Sequence, residues 1–366
     1  MTSVKPKPKG AQLIIESLRK RIVSDQWKPG EKISSEYSLS HEFGVCRATV
    51  TKALKELERE GLLVGKQGKG RFVADLSTRP RTWAIGVVLS NLDALTHPVL
   101  AQVIHGMRDA ILDSDYHLKL TAFNAASNQR AINRVDDWLD LLDPSSIDGA
   151  IIATREVQDH LIEALTRYVP LVRVQGDPVG PRSVSVTYDF ETPACAAVEH
   201  LLSLGHQRIG VVTIPEQFMQ GRDQVAGAKR AVKNAGLKVD DVLEVFVTQR
   251  NRAPYGYAAT LEVLQKKIRP TALLCGSDDL LLGVYQAAEE LGMHVPRDLS
   301  LVGWNDALTT DDVPVALTSV KIDHYQIGNE SMNCLMELMK SSDIERATRN
   351  LPAELVIRNS TATPAG

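Results

Sequence analysis

From Trp83 onward, short apolar runs rich in Val, Ile and Leu alternate with segments of helical periodicity, and this pattern limits the fold more than any other feature. The runs are Trp83–Ser90, Leu118–Phe123, Gly149–Ala153, Leu171–Val174, Ser183–Val186, Arg208–Ile214, Glu244–Val247, Ala272–Cys275 and Ser300–Trp304. Helices are expected between many of them, among them Val99–Asp113, Pro193–Leu204, Val225–Ala235 and Leu280–Leu291. Strands that are apolar throughout and joined by helices belong to parallel sheets covered on both faces. Some 280 residues are too many for one such sheet, so two α/β subdomains facing a cleft are predicted. Ligands in such folds sit at the carboxyl ends of the strands.

Residues 10–75 follow a different rule. Leu13, Ile14, Leu18 and Ile22 recur at helical spacing, which predicts an amphipathic helix over 10–25. Pro29-Gly30 ends that unit, and Ser34/Ser35 open a second helix carrying Tyr37, Leu39 and Phe43. Gly44 turns the chain into a third helix from about Cys46 to Glu60, with Val50, Ala53, Leu54 and Leu57 facing inward and Gly61 as its stop. Leu62–Lys66 and Gly70–Val73 flank the tight basic turn Gln67-Gly68-Lys69, a β-hairpin wing. The whole is a winged helix-turn-helix, preceded by a disordered Lys/Pro tail over 1–9 and followed by a linker over 76–82.

Charge separates the two parts in the same way. Residues 1–75 carry 15 Lys and Arg against 9 Asp and Glu, a net of +6, while the remainder is −9 within a chain total of −3. A basic head on an acidic body places only the head against a polyanion. A helix of this size fits the major groove and reads bases from its N-terminal end. The candidates there are Arg47, Ala48, Thr49 and Lys52, with Arg47 suited to a bidentate contact with guanine. Ser34, Ser35 and Tyr37 lie where the second helix meets the backbone, although Tyr37 also suits a packing role. In the wing, Gln67, Lys69 and Arg71 reach for backbone or minor groove, and Gly68 allows the close turn.

Other classes are weighed against this. The four cysteines are far apart with no C-x-x-C, so reduced thiols are expected and neither a disulfide nor a metal site. No apolar run spans a bilayer, the N-terminus lacks a signal-peptide core, and a cytoplasmic location is expected. There is no P-loop, no G-x-S-x-G, no H-E-x-x-H and no G-x-G-x-x-G opening a helix after the first α/β strand. No cofactor and no catalytic residue is therefore expected. The alternative is a sugar-binding or sugar-converting protein in which the head is not the main activity.

The head resembles the GntR family of bacterial regulators. The resemblance rests on Ile33-Ser34-Ser35-Glu36, Gly44-Val45-Cys46-Arg47-Ala48-Thr49-Val50, Leu57-Glu58-Arg59-Glu60-Gly61-Leu62 and the Gln67-Gly68-Lys69-Gly70 wing. Cys46 stands where that family usually has the Ser that caps the recognition helix, a weaker cap by about 1 kcal/mol. Residues 83–360 resemble the effector domain of the LacI family, itself similar to periplasmic sugar-binding proteins. The carriers are Ala84-Ile85-Gly86-Val87-Val88, Asp148-Gly149-Ala150-Ile151-Ile152, Leu204-Gly205-His206-Gln207-Arg208-Ile209, Ser277-Asp278-Asp279 and Val302-Gly303-Trp304-Asn305-Asp306. The combination is similar to the arabinose-repressor group.

This implies a dimeric regulator, a repressor that binds a palindromic operator and is released by a small molecule. It implies a pocket of Ser90, Thr154, Arg155, Gln175, Gln224, Asn251, Ser277, Asp278, Trp304 and Asn305. Gln175, Gln224 and Asn305 are amides where the family commonly has charged groups, which points to a neutral, hydroxyl-rich ligand with Trp304 as a packing face. Inward-pointing Arg155, Arg173 or Arg250 would reverse that expectation. His206 is expected to order the turn before a strand rather than to bind ligand.

Overall fold

The computed structural model describes residues 10–23, 26–28, 30–59, 61–74, 80–90, 93–122, 135–166, 168–180, 182–248, 252–309, 311–340 and 347–365. The tail over 1–9, most of the linker over 76–82, Arg250 and the expected pocket residue Asn251 lie outside these.

The head consists of α1 (Ala11–Val23), α2 (Glu36–Phe43), α3 (Arg47–Arg59) and the hairpin β1 (Leu63–Lys66) and β2 (Gly70–Val73). Ser35 starts α2 because its hydroxyl oxygen accepts the Ser38 N–H at 3.1 Å. Gly44 ends it in the left-handed region, φ 62°, a conformation costly for any residue with a Cβ. Ile14, Leu18, Leu39, Val50, Leu54 and Leu57 are fully buried together, the face expected from their spacing. The wing strands pair antiparallel from Leu63 with Val73 to Lys66 with Gly70.

The body divides into two sheets. The first subdomain uses β3 (Ala84–Leu89), α4 (Pro98–Asp109), β4 (His117–Ala122), α5 (Val135–Leu142), β5 (Gly149–Ile152), α6 (Asp159–Thr166), β6 (Leu171–Val174) and β7 (Ser183–Tyr188). The second uses α7 (Glu191–Ser203), β8 (Ile209–Thr213), α8 (Met219–Asn234), α9 (Val239–Val242), β9 (Leu243–Val247), α10 (Ala253–Leu264), β10 (Ala272–Cys275), α11 (Asp278–Glu290), β11 (Ser300–Asn305) and β12 (Thr318–Ile322). The chain then returns through α12 (His324–Lys340) to β13 (Ala347–Leu351) in the first sheet, and crosses again to β14 (Ala353–Val356) in the second.

The strand orders match in form: β13-β7-β6-β5-β3-β4 and β14-β12-β11-β10-β8-β9. All pairings are parallel except β12 with β14. The backbone therefore passes between subdomains three times, after Tyr188, after Ile322 and at Pro352. Three strands joined at one edge make a hinge, with the strand ends of both sheets meeting across it.

Two anchors lie outside the expected elements. Asp148, just before β5, accepts hydrogen bonds from the Thr82 N–H (2.9 Å), the Thr82 hydroxyl (2.9 Å) and the Trp83 N–H (3.0 Å), pinning the chain as it leaves the linker. Arg81 stacks over Trp83, and Trp83 packs on Tyr116. At the other end, the residues from 361 onward lie against the second sheet. The Ala362 carbonyl accepts from His206 at 2.9 Å, and its N–H donates to the Ser300 hydroxyl at 3.0 Å.

Candidate functional site

The recognition helix presents its first turn outward. Arg47 is 68% exposed, Ala48 and Lys52 are exposed, and Thr49 is half-buried. Cys46 sits at the N-terminal boundary of the helix, where its carbonyl accepts the Thr49 N–H (3.0 Å) and its sulfur lies 3.2 Å from the Thr49 hydroxyl. That hydroxyl, with nearby backbone N–H groups, holds the exposed Cys46 thiol below its usual pKa. Gln67, Gly68 and Lys69 form the exposed wing tip; Tyr37 and Ser35 are exposed and Ser34 half-buried.

Arg71 is placed differently from the expectation of a free wing contact. Its Nη1 donates to Glu36 at 2.6 Å and its Nε to Glu58 at 2.9 Å. Glu36 also accepts from the Thr51 hydroxyl (3.1 Å) and lies 3.8 Å from Arg47, and the Arg71 guanidinium holds its carboxyl below the usual range. Two carboxylates, one from α2 and one from α3, thus tie the wing to both helices. Glu36 and Glu58 carry no mark in sequence beyond being acids within the head motifs.

In the body, the carboxyl ends of the parallel strands bring Ser90, Thr154, Arg155, Gln175, Ser277, Asp278, Trp304 and Asn305 to the side where the subdomains meet. A cavity of about 320 Å³ opens between Arg155, Arg173 and Gln175 on one side and Gln217, Phe218 and Met219 on the other. Gln175 is held there in the left-handed region, φ 56°. Ser277 caps α11, its hydroxyl oxygen accepting the Leu280 N–H at 3.2 Å.

Two candidates are engaged in ways their positions did not reveal. Gln224 is fully buried, its Oε1 accepting from Thr213 (2.6 Å) and its Nε2 donating to the Gly276 carbonyl (3.1 Å), so both ends of the amide are satisfied inside the second subdomain. Trp304 is also fully buried. Phe190 stacks on it at 6.2 Å with an interplanar angle of 14°, and its Nε1 donates to the Tyr188 hydroxyl at 3.3 Å. Its indole joins the subdomains at the first crossover instead of offering an open face.

Two further contacts cross the cleft or its rim, and others lie beside it. Arg155 donates to Gln220 on α8, and Gln220 in turn donates to the Gly276 carbonyl at 2.5 Å. His97, at the start of α4, lies 3.4 Å from Asp279, whose carboxylate raises the imidazole pKa. Asp278 receives the Ala307 N–H at 2.8 Å on one oxygen, while its other oxygen is buried with no hydrogen-bond partner among the described residues. Burial pushes the Asp278 carboxyl up to about 7. Asp306, next to Asn305, forms a bidentate pair with Arg358 (2.5 and 2.8 Å). His206 is buried and bound to Thr271 and Ser300 as well as Ala362, a turn-ordering histidine. No group of His, Cys, Asp and Glu able to hold a metal occurs among the described residues, and no helix among them is long and apolar enough to cross a membrane.

Comparison with known proteins matches two separate parts of the chain. The model for bacterial regulatory proteins of the gntR family matches residues 11–73, and that for a periplasmic binding protein-like domain matches residues 198–361. The arabinose metabolism transcriptional repressor of Geobacillus stearothermophilus is 27% identical over 365 residues, 97% of this chain and 98% of the relative. A LacI family transcriptional regulator from Enterococcus faecium, solved with bound ribose, superposes with a TM-score of 0.65 at 25% identity, over 76% of this chain and 99% of that one. A dimeric Lac repressor gives 0.62 at 25% identity, over 77% and 100%. The chain thus resembles a GntR-type winged-helix head joined to a LacI-type, periplasmic-binding-protein-like domain.

Proposed function

We propose that this chain is a dimeric transcriptional repressor that holds a palindromic operator with two heads and releases it when a monosaccharide-sized, hydroxyl-rich molecule occupies the cleft. The observation that carries this is the joining of an exposed basic recognition helix to two subdomains linked by three crossovers. A hinge of that kind changes the angle between subdomains when a ligand bridges them, and the change reaches the head through the linker end fixed at Asp148. The Geobacillus relative is named for arabinose metabolism and the Enterococcus structure holds ribose, which supports a sugar-like effector. The protein acts in the cytoplasm, on DNA, and turns nothing over. The amide argument for a neutral ligand is reduced to Gln175 and Asn305, since Gln224 is satisfied internally.

The test is operator selection from random duplexes with the full chain, followed by fluorescence anisotropy on the selected site. Arg47→Ala is expected to weaken the selected site by about tenfold or more and to relax preference at one base pair, the size of a lost bidentate contact. Recovery of no preferred sequence at low salt would refute the repressor reading.

A further inference from the structure

Among the described residues lining the cavity, Arg155 is the cation with no carboxylate hydrogen-bonded to it. Arg173 pairs with Asp159 at 2.8 Å and Arg222 with Asp223 at 2.8 Å, while Asp177 lies 3.9 Å from Arg222. Arg155 donates to the neutral amide of Gln220, and among the described residues no carboxylate is hydrogen-bonded to it. Glu156, its chain neighbour, is exposed and acts on it only through space. A desolvated guanidinium facing an amide is unfavourable unless something else is meant to meet it. Desolvation lowers its pKa, the direction expected of a cation held out of water without a counter-ion. The buried Tyr188 hydroxyl lies within its electrostatic reach; it accepts from Trp304, and its own proton has no acceptor among the described residues. The guanidinium and this hydroxyl are a charged donor and a neutral donor close enough to act on one another.

We propose that the effector carries one anionic group, a carboxylate or a phosphate, on its hydroxyl-bearing frame, and that Arg155 receives it. Both groups match the forked donors of a guanidinium, and a cavity of about 320 Å³ accommodates a single sugar-sized acid. This rests on the cleft-effector reading above and replaces the neutral ligand expected from the amides.

The experiment is thermal shift and calorimetry on the full chain with matched sets: glucose, gluconate and glucose 6-phosphate; galactose and galacturonate; ribose and ribose 5-phosphate. One acid is expected to raise Tm by several degrees where its neutral parent does not, and whether a carboxylate or a phosphate responds identifies the group. In Arg155→Met that response is expected to vanish, while the ligand-free variant keeps or gains Tm because no ion pair is lost. Equal shifts from parent and acid, an acid response that survives in Arg155→Met, or a ligand-free Arg155→Met that loses several degrees would each overturn the proposal. If neutral parents alone bind, the proposal fails and the cleft-effector reading stands. If no compound shifts Tm or releases operator DNA, both fail.

Discussion

At the scale of single residues, an acid and a base buried near the cleft answer pH in opposite directions. Asp278 is pushed up to about 7, above an unfolded value near about 3.9. The folded chain therefore holds a proton that the unfolded chain releases, so the stability from Asp278 is complete below about pH 4 and is lost as pH rises through 7. His324 is buried with neither ring nitrogen partnered among the described residues and is pushed down to about 4. There the unfolded chain takes the proton first, so stability is lost as pH falls from about 6.5 towards 4. His200 and His206, lowered by burial, act in the same direction as His324. At about 1.4 kcal/mol per pKa unit, Asp278 and His324 each carry a few kcal/mol and largely offset one another. Asp278→Asn removes one side of this balance. Relative to wild type, the variant should gain about 2 kcal/mol or more in urea unfolding free energy between pH 4.5 and 7. Parallel profiles for the two proteins would show that Asp278 is not protonated in the fold.

At the scale of elements, the helices that flank each sheet touch backbone to backbone at glycines. A Cβ at Gly283 in α11 would lie 1.9 Å from the Ala253 carbonyl oxygen in α10, and one at Gly256 in α10 would lie 2.3 Å from the Leu280 carbonyl. The first subdomain repeats the device, with Gly106 in α4 and Gly328 in α12 at 2.0 and 1.9 Å from backbone oxygens of the opposing helix. Such a contact cannot relax by moving a side chain, so Gly283→Ala should cost about 3 kcal/mol, the upper end of overpacking, read as a lower urea midpoint at unchanged slope. A loss below about 1 kcal/mol would mean the helices separate easily. This crossing was not legible in the sequence, because nothing local marks which glycines meet. The buried parallel strands were legible, since β5 and β10 are continuous apolar runs and β6 is broken only by Arg173, and so were the head helices, most of whose apolar residues fall on the buried face while Leu13 stays exposed. The strand β13 was missed because Ala-Thr-Arg-Asn-Leu is a polar, exposed edge. α8 begins six residues before the expected Val225, where Met219–Gln224 shows no apolar stripe. The strand-end positions of the candidate residues were legible for the same topological reason as the strands. The internal satisfaction of Gln224 and the cover over Trp304 were not, since both depend on how the chain crosses between subdomains.

For the whole molecule, function requires that a change in the cleft be felt some distance away by the head, and the described structure offers one defined place for that to happen. The linker enters the body at Thr82 and Trp83, and Asp148 binds both N–H groups directly ahead of β5, the strand that ends at Ile152, shortly before Thr154 and Arg155. One short strand thus has the linker at its start and the cleft at its end. Trp83 is held in the left-handed region, φ 58°, a state that costs a bulky residue roughly 1–3 kcal/mol and persists only where neighbours enforce it. Asp148, Arg81 and Tyr116 are those neighbours. Asp148→Ala should let Trp83 relax and free the linker from the rotation of the first subdomain. Neither the recognition helix nor the cleft is touched by this change, so operator Kd without effector and effector Kd without DNA should each stay within about threefold of wild type. What should collapse is the coupling, measured as the ratio of operator Kd with and without the binding compound from the matched sets, because coupling is a free energy between sites and not a property of either. A wild-type ratio in Asp148→Ala would mean that the signal reaches the head by another route, such as direct contact between the head and the first subdomain.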